Sequence, residues 1–256
     1  MSLLLLKLTL TPLLMWLVTV SARRRGPGLA GVLAGLPLTS GPISIFLFLE
    51  EGSDFAVRAA VSSLVAVAAV AWFSVGYGRL AYHQPIARCL LAGVACFGVV
   101  LFAFSHIRSG LPGAITSAVV SILVALATLP NRETDHQKIQ YPPWDLPVRI
   151  LTATSLVIFV TASASLLGPQ SSGLFSPIPV VAWPLCIFVH LHQGAAAAIR
   201  VLRGIAQGAF GVCIFYVMVA IGLPRFSPAL VYLSALVAAL LVTLPWLRSE
   251  TTRFSH

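Results

Sequence analysis

Two stretches of this chain are versions of one another, and no other feature of the sequence constrains the fold as strongly. From Gly26 to Arg58 the chain reads GPGLAGVLAGLPLTSGPISIFLFLEEGSDFAVR; from Gly168 to Arg200, 142 residues on, it reads GPQSSGLFSPIPVVAWPLCIFVHLHQGAAAAIR with no gap. Gly26, Pro27, Gly31, Pro37, Pro42, Ile45, Phe46, Leu49, Gly52, Ala56 and Arg58 fall on identical residues in the second copy, and six of these eleven are Gly or Pro. Shared apolar composition gives few such matches, least of all at the two residue types with special backbone roles. The register extends upstream, pairing Lys7 with Arg149, Val18-Thr19 with Val160-Thr161, and Ser21-Ala22 with Ser163-Ala164.

Both copies are written for lipid. The chain is 58% hydrophobic and 9% charged, with mean hydropathy +0.96, whereas a soluble domain carries about 25% charged residues. Apolar runs of roughly 18 to 25 residues, each long enough for a hydrocarbon core, follow one another at about 3–20, 29–50, 56–78, 86–105, 111–130, 148–167, 172–191, 201–222 and 228–247. The expected fold class is an all-α polytopic membrane protein of about nine transmembrane helices. The net charge of +9 does not point to nucleic acid, because the sixteen Lys and Arg lie between the apolar runs and form no aromatic-interleaved patch. They suit membrane lipids and report topology. The first run lacks a basic leader and a small-residue cleavage site, and its counterpart is internal, so the expectation is that it is retained.

Orientation follows from the basic residues, which accumulate in short cytoplasmic loops. With Arg23, Arg24 and Arg25 inside, alternation places twelve Lys and Arg on that side and leaves Lys7, Arg58, Arg108 and Arg225 on the other. This predicts a multi-pass protein of the bacterial cytoplasmic membrane, N-terminus outside and C-terminus inside. The expected organisation is a first unit of five spans over 1–130, a cytoplasmic linker over 131–147, a second unit of four spans over 148–247, and a cytoplasmic tail over 248–256. Five is odd, so the second unit enters the membrane upside down, a 5+4 inverted repeat. Gly110-Leu111-Pro112 resembles Gly222-Leu223-Pro224 and Thr128-Leu129-Pro130 resembles Thr243-Leu244-Pro245, which points to the fourth span as the one without a counterpart.

The second and seventh spans carry the candidate chemistry. Irregular backbone is tolerated at membrane depth only where it is buried in protein or lines an aqueous cavity. The second span crowds Gly35, Pro37, Gly41 and Pro42 around Leu38-Thr39-Ser40; the seventh has Pro177, Pro179 and Pro184 around Val180 to Trp183. Paired Gly/Pro breaks at corresponding places in two repeats are the sequence pointer to a secondary transporter's binding site, because broken helices present unpaired N–H groups and carbonyls at mid-membrane. The candidate substrate-binding set is Pro37, Thr39, Ser40, Gly41, Pro42, Ser44, Pro179, Trp183 and Pro184. Glu50 and His190, ionisable groups at span ends, are the candidates for ion coupling. The competing reading of the prolines is a pair of kinked, packed helices. Lys7 and Arg149, at the starts of their spans, read as side chains snorkelling to an interface.

Nothing points to an enzyme, a cofactor or a metal. There is no HExxH, GxSxG or P-loop, and Cys89, Cys96, Cys186 and Cys213 lie inside apolar runs, as small hydrophobes do. Two functions from different classes fit: a small transporter moving a small polar or amphipathic organic molecule by alternating access, proton coupling being one option, or a non-transporting assembly factor for an envelope or polymer-export system. A homodimer or a membrane-protein partner is compatible with either. The repeated pattern of Lys7, Leu29-Ala30-Gly31, Pro37, Phe46, Gly52 and Arg58, matched by Gly173-Leu174, Pro177, Pro179, Phe188, His190, Gly194 and Arg200, resembles the small GlpM-type inner-membrane proteins. That resemblance implies duplication and fusion of one short unit and names no substrate.

Overall fold

The structure, a computed structural model, describes residues 2–38, 40–106, 110–130, 144–167 and 181–252. Among these all regular structure is helical: α1 (Ser2–Arg25), α2 (Pro27–Ala34), α3 (Ser40–Glu51), α4 (Ser53–Leu80), α5 (Ile86–His106), α6 (Leu111–Thr128), α7 (Asp145–Leu167), α8 (Ala182–Gly222) and α9 (Pro228–Thr252). Within α4, α5, α6, α8 and α9 lie stretches long and apolar enough to cross a membrane. The chain thus has the make-up of a helical integral membrane protein. More than half of the apolar stretch is buried in α4 and in α8, while α5, α6 and α9 expose most of theirs. The two inner helices form the core and the outer three shield it.

The second apolar run is two short helices. Pro37 has no N–H to offer the preceding turn and its ring clashes with the backbone there, so α2 stops short of it. The backbone across the gap finds local partners: Gly35 N–H donates to Gly31 C=O at 2.9 Å, Leu38 to Leu36 at 2.8 Å, and Gly41 to Pro37 at 2.9 Å. Pro42 then sits in the first turn of α3, where a missing N–H costs nothing because the first four donors have no partner within the helix. Pro184 holds the same place in the first turn of α8. The fragment expected at 172–191 is described only from residue 181, so Pro177 and Pro179 lie outside the described residues, as does Thr39.

A second device shapes the chain. Gly52, joining α3 to α4, has φ 85° and ψ −179°; Gly194, inside α8, has φ 80° and ψ −179° and divides that helix into arms 182–193 and 195–222. Gly26, between α1 and α2, has φ 91° and ψ 165°. This corner of backbone space is open essentially to glycine alone. A Cβ at Gly52 or Gly194 would meet nothing within 4 Å, so dihedral angle and not crowding demands glycine there. Three features fall 142 residues apart: the glycine bends stand at 52 and 194, α4 and α8 end at 80 and 222, and α5 and α9 begin at 86 and 228.

A close helix crossing joins α2 to the second arm of α8, backbone against backbone. A Cβ added to Gly31 would run into Val201 C=O and, 3.0 Å away, Gly204 Cα; one on Gly35 would meet Ile205 C=O and Gly208 Cα. The reverse holds, with Gly204 against Gly28, Gly31 and Val32, and Gly208 against Val32 and Gly35. Small residues four apart on both helices permit this approach, which replaces the missing hydrophobic drive between helices in lipid. Gly204→Leu is expected to separate the pair and lower the apparent melting temperature in detergent, by the equivalent of about 1–3 kcal/mol of overpacking or more. Gly98→Ala, at a glycine with open space around it, serves as the neutral control in the same thermal size-exclusion assay.

Candidate functional site

The break between α2 and α3 faces the second half of the chain. Ser44 is buried, and its hydroxyl lies 3.2 Å from the Tyr232 hydroxyl of α9, which also donates to Ser44 C=O at 3.0 Å. Tyr216 of α8 reaches Ser40 C=O at 3.5 Å. The ring of Phe215 lies beneath Gly41, with Phe215 Cζ 3.7 Å from where a Cβ would stand. Phe48 completes the cluster edge-on to Tyr232 at 6.1 Å. Ser40, Gly41 and Ser44 are therefore brought together, while Pro37, buried, and Pro42 shape the backbone around them.

The start of α8 faces the first half of the chain. Trp183 stacks on Phe73 of α4 with ring centroids 4.8 Å apart and 18° between planes, and meets Phe97 of α5 edge-on at 5.3 Å. Its Nε1 is buried and has no hydrogen-bond partner among the described residues. Trp183 and Pro184 also line a shallow apolar groove with Leu90 and Val94 of α5, Phe159 of α7, and Ile187. One geometric relation links the two regions. Residue 41 packs on Phe215 and residue 183 on Phe73, and both 41 to 183 and 73 to 215 are steps of 142.

Of the two ion-coupling candidates, Glu50 is exposed at the end of α3, whereas His190 enters the bundle. Its Nδ1 lies 2.9 Å from the hydroxyl of Tyr77 on α4, a side chain with no exposed surface, and the rings meet edge-on at 5.7 Å.

Two residues further, a charged cluster ties three helices together. Asp145, the first residue of α7 and ahead of its apolar run, is fully buried. It accepts from Arg23 at the end of α1 (2.7 Å) and from Arg149 one turn along α7 (2.9 Å), and its Oδ1 stands 2.9 Å from His192 Nε2. Arg149 is 1% exposed, with its guanidinium over the Phe188 ring at 5.2 Å. The expectation that Arg149 snorkels to an interface is corrected: with a buried carboxylate one turn away, ion pairing inside the protein outcompetes hydration. Burial by itself pushes the Asp145 carboxyl up, but the hydrogen bonds from Arg23 and Arg149, with the Arg149 and His192 charges beside them, outweigh it and hold the group below the ordinary carboxylate range. At the same end, Arg200 pairs with Glu250 at 3.2 Å, and the Glu250 carboxylate sits against Gly28 at the start of α2. Arg203 donates to the Leu126 and Leu129 carbonyls that close α6.

Sequence reasoning missed Tyr77, Tyr216, Tyr232, Phe73, Phe215 and Asp145. The aromatic residues sit in apolar runs where nothing local marks them, although the 142-residue step pairs Phe73 with Phe215. Asp145 reads as part of a hydrophilic linker. No metal-binding group of His, Cys, Asp or Glu occurs among the described residues. Comparison of the chain with family models, with curated proteins and with solved structures gives no match.

Removing one partner from a buried ion pair leaves an uncompensated charge, at a cost of about 3–5 kcal/mol. Asp145→Asn is expected to lower the apparent melting temperature at neutral pH accordingly. Because the native carboxyl titrates low, its stabilisation is complete above the unfolded value of about 3.9 and fades as pH falls through the lower native value. A melting series from pH 7 to pH 3 should show acid destabilisation in the wild-type chain and a weaker one in Asp145→Asn.

Proposed function

We propose that the chain is a small secondary transporter built as an inverted repeat, moving a small polar or amphipathic organic molecule between its two broken spans by alternating access. The observation that carries this reading is the reciprocal packing of residue 41 on Phe215 and residue 183 on Phe73. Each unit's helix break is seated on the inner helix of the other, so a shift of one unit against the other alters both breaks at once. The matched bends at Gly52 and Gly194 and the shared 142-residue spacing of helix ends support the same arrangement. They favour α5 as the counterpart of α9 and make α6 the extra span that inverts the second unit. The resemblance of the sequence endings points instead to α5, the fourth span, as the extra one, but Gly-Leu-Pro marks a helix boundary wherever one falls. Duplication of a GlpM-like unit is the matching proposal for its origin.

The substrate-facing groups on this reading are the Ser40 and Ser44 hydroxyls and carbonyls, with Tyr216 and Tyr232 as their present partners, and the buried Trp183 N–H. A buried donor with no partner among the described residues is an available hydrogen bond for a ligand. Among the described residues, the groups touching Ser40, Ser44 and Trp183 are hydroxyls and aromatic rings, which favours a neutral, zwitterionic or mildly amphipathic molecule over a strongly charged one. The end holding Arg23 to Arg25, Arg149, Arg200 and Arg203 is the cytoplasmic one by the positive-inside rule.

Reconstituted full-length protein is expected to move at least one member of a panel of labelled zwitterions, small organic anions and amphipathic amines above the rate of empty liposomes. Trp183→Phe keeps the stacking on Phe73 and removes only the N–H, so flux should fall about tenfold, the worth of roughly 1.4 kcal/mol, with thermal stability unchanged. Wild-type flux in Trp183→Phe removes that donor from the site. Absence of any flux, together with copurification of a stoichiometric membrane partner, supports an assembly factor. For orientation, a membrane-impermeant maleimide should label Glu51→Cys on intact cells and Arg24→Cys only after the membrane is opened.

A further inference from the structure

We propose that Tyr77 and His190 form a proton site, and that the proton is the ion coupled to transport. The inference rests on the transporter reading above for its second half only; the first half stands on the geometry of the pair.

His190 belongs to the first arm of α8 and Tyr77 to α4, so the 2.9 Å bond between Nδ1 and the phenol hydroxyl crosses from one unit to the other. The phenol is wholly buried, whereas the imidazole keeps some exposed surface. One member is therefore held in the bundle and the other reaches its surface. A phenol is suited to this place because it serves both charge states of the ring. With neutral imidazole the hydroxyl donates to Nδ1. When the ring gains a proton at Nδ1, the hydroxyl turns its own O–H away and accepts from Nδ1–H through its oxygen. The ring has then gained one proton and the phenol none, and neither state leaves a buried polar atom unpaired. The thiol of Cys186 lies beside the phenol and offers the rotated O–H a sulfur partner.

The neighbouring charges are accounted for. On α8 itself the next titratable group is His192, engaged with Asp145 of α7; Arg149 of α7 and Arg23 of α1 are paired with the same carboxylate. Tyr77 is the group that α4 presents, and Cys89 the group from α5. The pair also has no equivalent in the other unit. The positions 142 residues away are Phe48 for His190 and Val219 for Tyr77, and Phe48 packs on Tyr232 instead. A proton site present in one unit alone makes the two access states unequal in proton affinity, which is the requirement for coupling, since a ligand shifts an equilibrium only by its differential affinity for the two states.

The test begins with the site. Full-length protein carrying ¹⁵N-histidine in nanodiscs is titrated from pH 5 to 9, with the His190 signals assigned from their absence in His190→Phe, the residue the other unit uses. The expected result is a His190 ring that titrates in this range with Nδ1 in a hydrogen bond, a signature lost at Nδ1 and retained at Nε2 in Tyr77→Phe, with a midpoint displaced by about one pH unit. A ring that stays neutral throughout, or an Nδ1 signal indifferent to Tyr77→Phe, overturns the proposal. Coupling is read on whichever panel compound moves. His190→Phe should keep counterflow exchange within about twofold and lose accumulation driven by an imposed pH gradient by about tenfold or more. Gradient-driven accumulation at the wild-type level in that variant refutes the coupling role. If His190 titrates as expected and no compound moves, the proton site is upheld and the transporter reading fails by itself.

Discussion

The contact on which the rest of the molecule depends is the backbone crossing of α2 with the second arm of α8. An eight-residue helix is far too short to persist alone, and inside a bilayer apolar side chains give no net drive for two helices to meet. Gly31 and Gly35 against Gly204 and Gly208 remove the side chains that would keep the axes apart, so van der Waals attraction acts between the backbones themselves. Seated this way, α2 presents its C-terminal end and the turn at Pro37 to the inside of the bundle. The position of Ser40 and Ser44 follows from that seat.

Polarity is divided between a charged cluster and neutral pairs. Near one end, three helices meet on the single carboxylate of Asp145, and Arg200, Glu250 and Arg203 lock the Gly194 bend, the last helix and the close of α6 to one another. Elsewhere between the helices, polar contacts are made by neutral groups, hydroxyl, carbonyl and imidazole, with aromatic rings beside them. A low-dielectric interior tolerates neutral hydrogen bonds at modest cost and charges only in well-made pairs. The charged cluster accordingly sits where the helices begin and end.

How much of this was legible in the sequence differs by kind of signal. Helicity, membrane character and helix bounds are carried by long apolar runs and by Gly and Pro, which act locally on the backbone, and the expected spans fall on the helices found at 53–80, 86–106 and 111–128 within a few residues. The gap at Pro37 is equally local. The partners of the candidate site are not: Tyr216 and Tyr232 lie more than 170 residues from Ser40 and Ser44, and a tyrosine in an apolar run looks the same whether it faces lipid or a serine. Arg149 differs from its expected place for the same reason. A basic residue at a span start snorkels unless a carboxylate waits nearby, and the carboxylate that waits, Asp145, looked like loop.

The glycine bends bear on how the bundle can move. Each is a single residue between helices that are internally stiff, and at Gly52 and Gly194 no neighbour fills the space a side chain would occupy. The arm beyond Gly194 runs to residue 222, a rod of about 42 Å at 1.5 Å per residue. Rotation of about 10° at that one joint displaces the far tip by roughly 7 Å, more than one helical turn. Rotation there would make the joint the fulcrum of a long lever, with the ion pairs of Asp145 and Glu250 close to the fulcrum and the Phe215 and Tyr216 rings far from it.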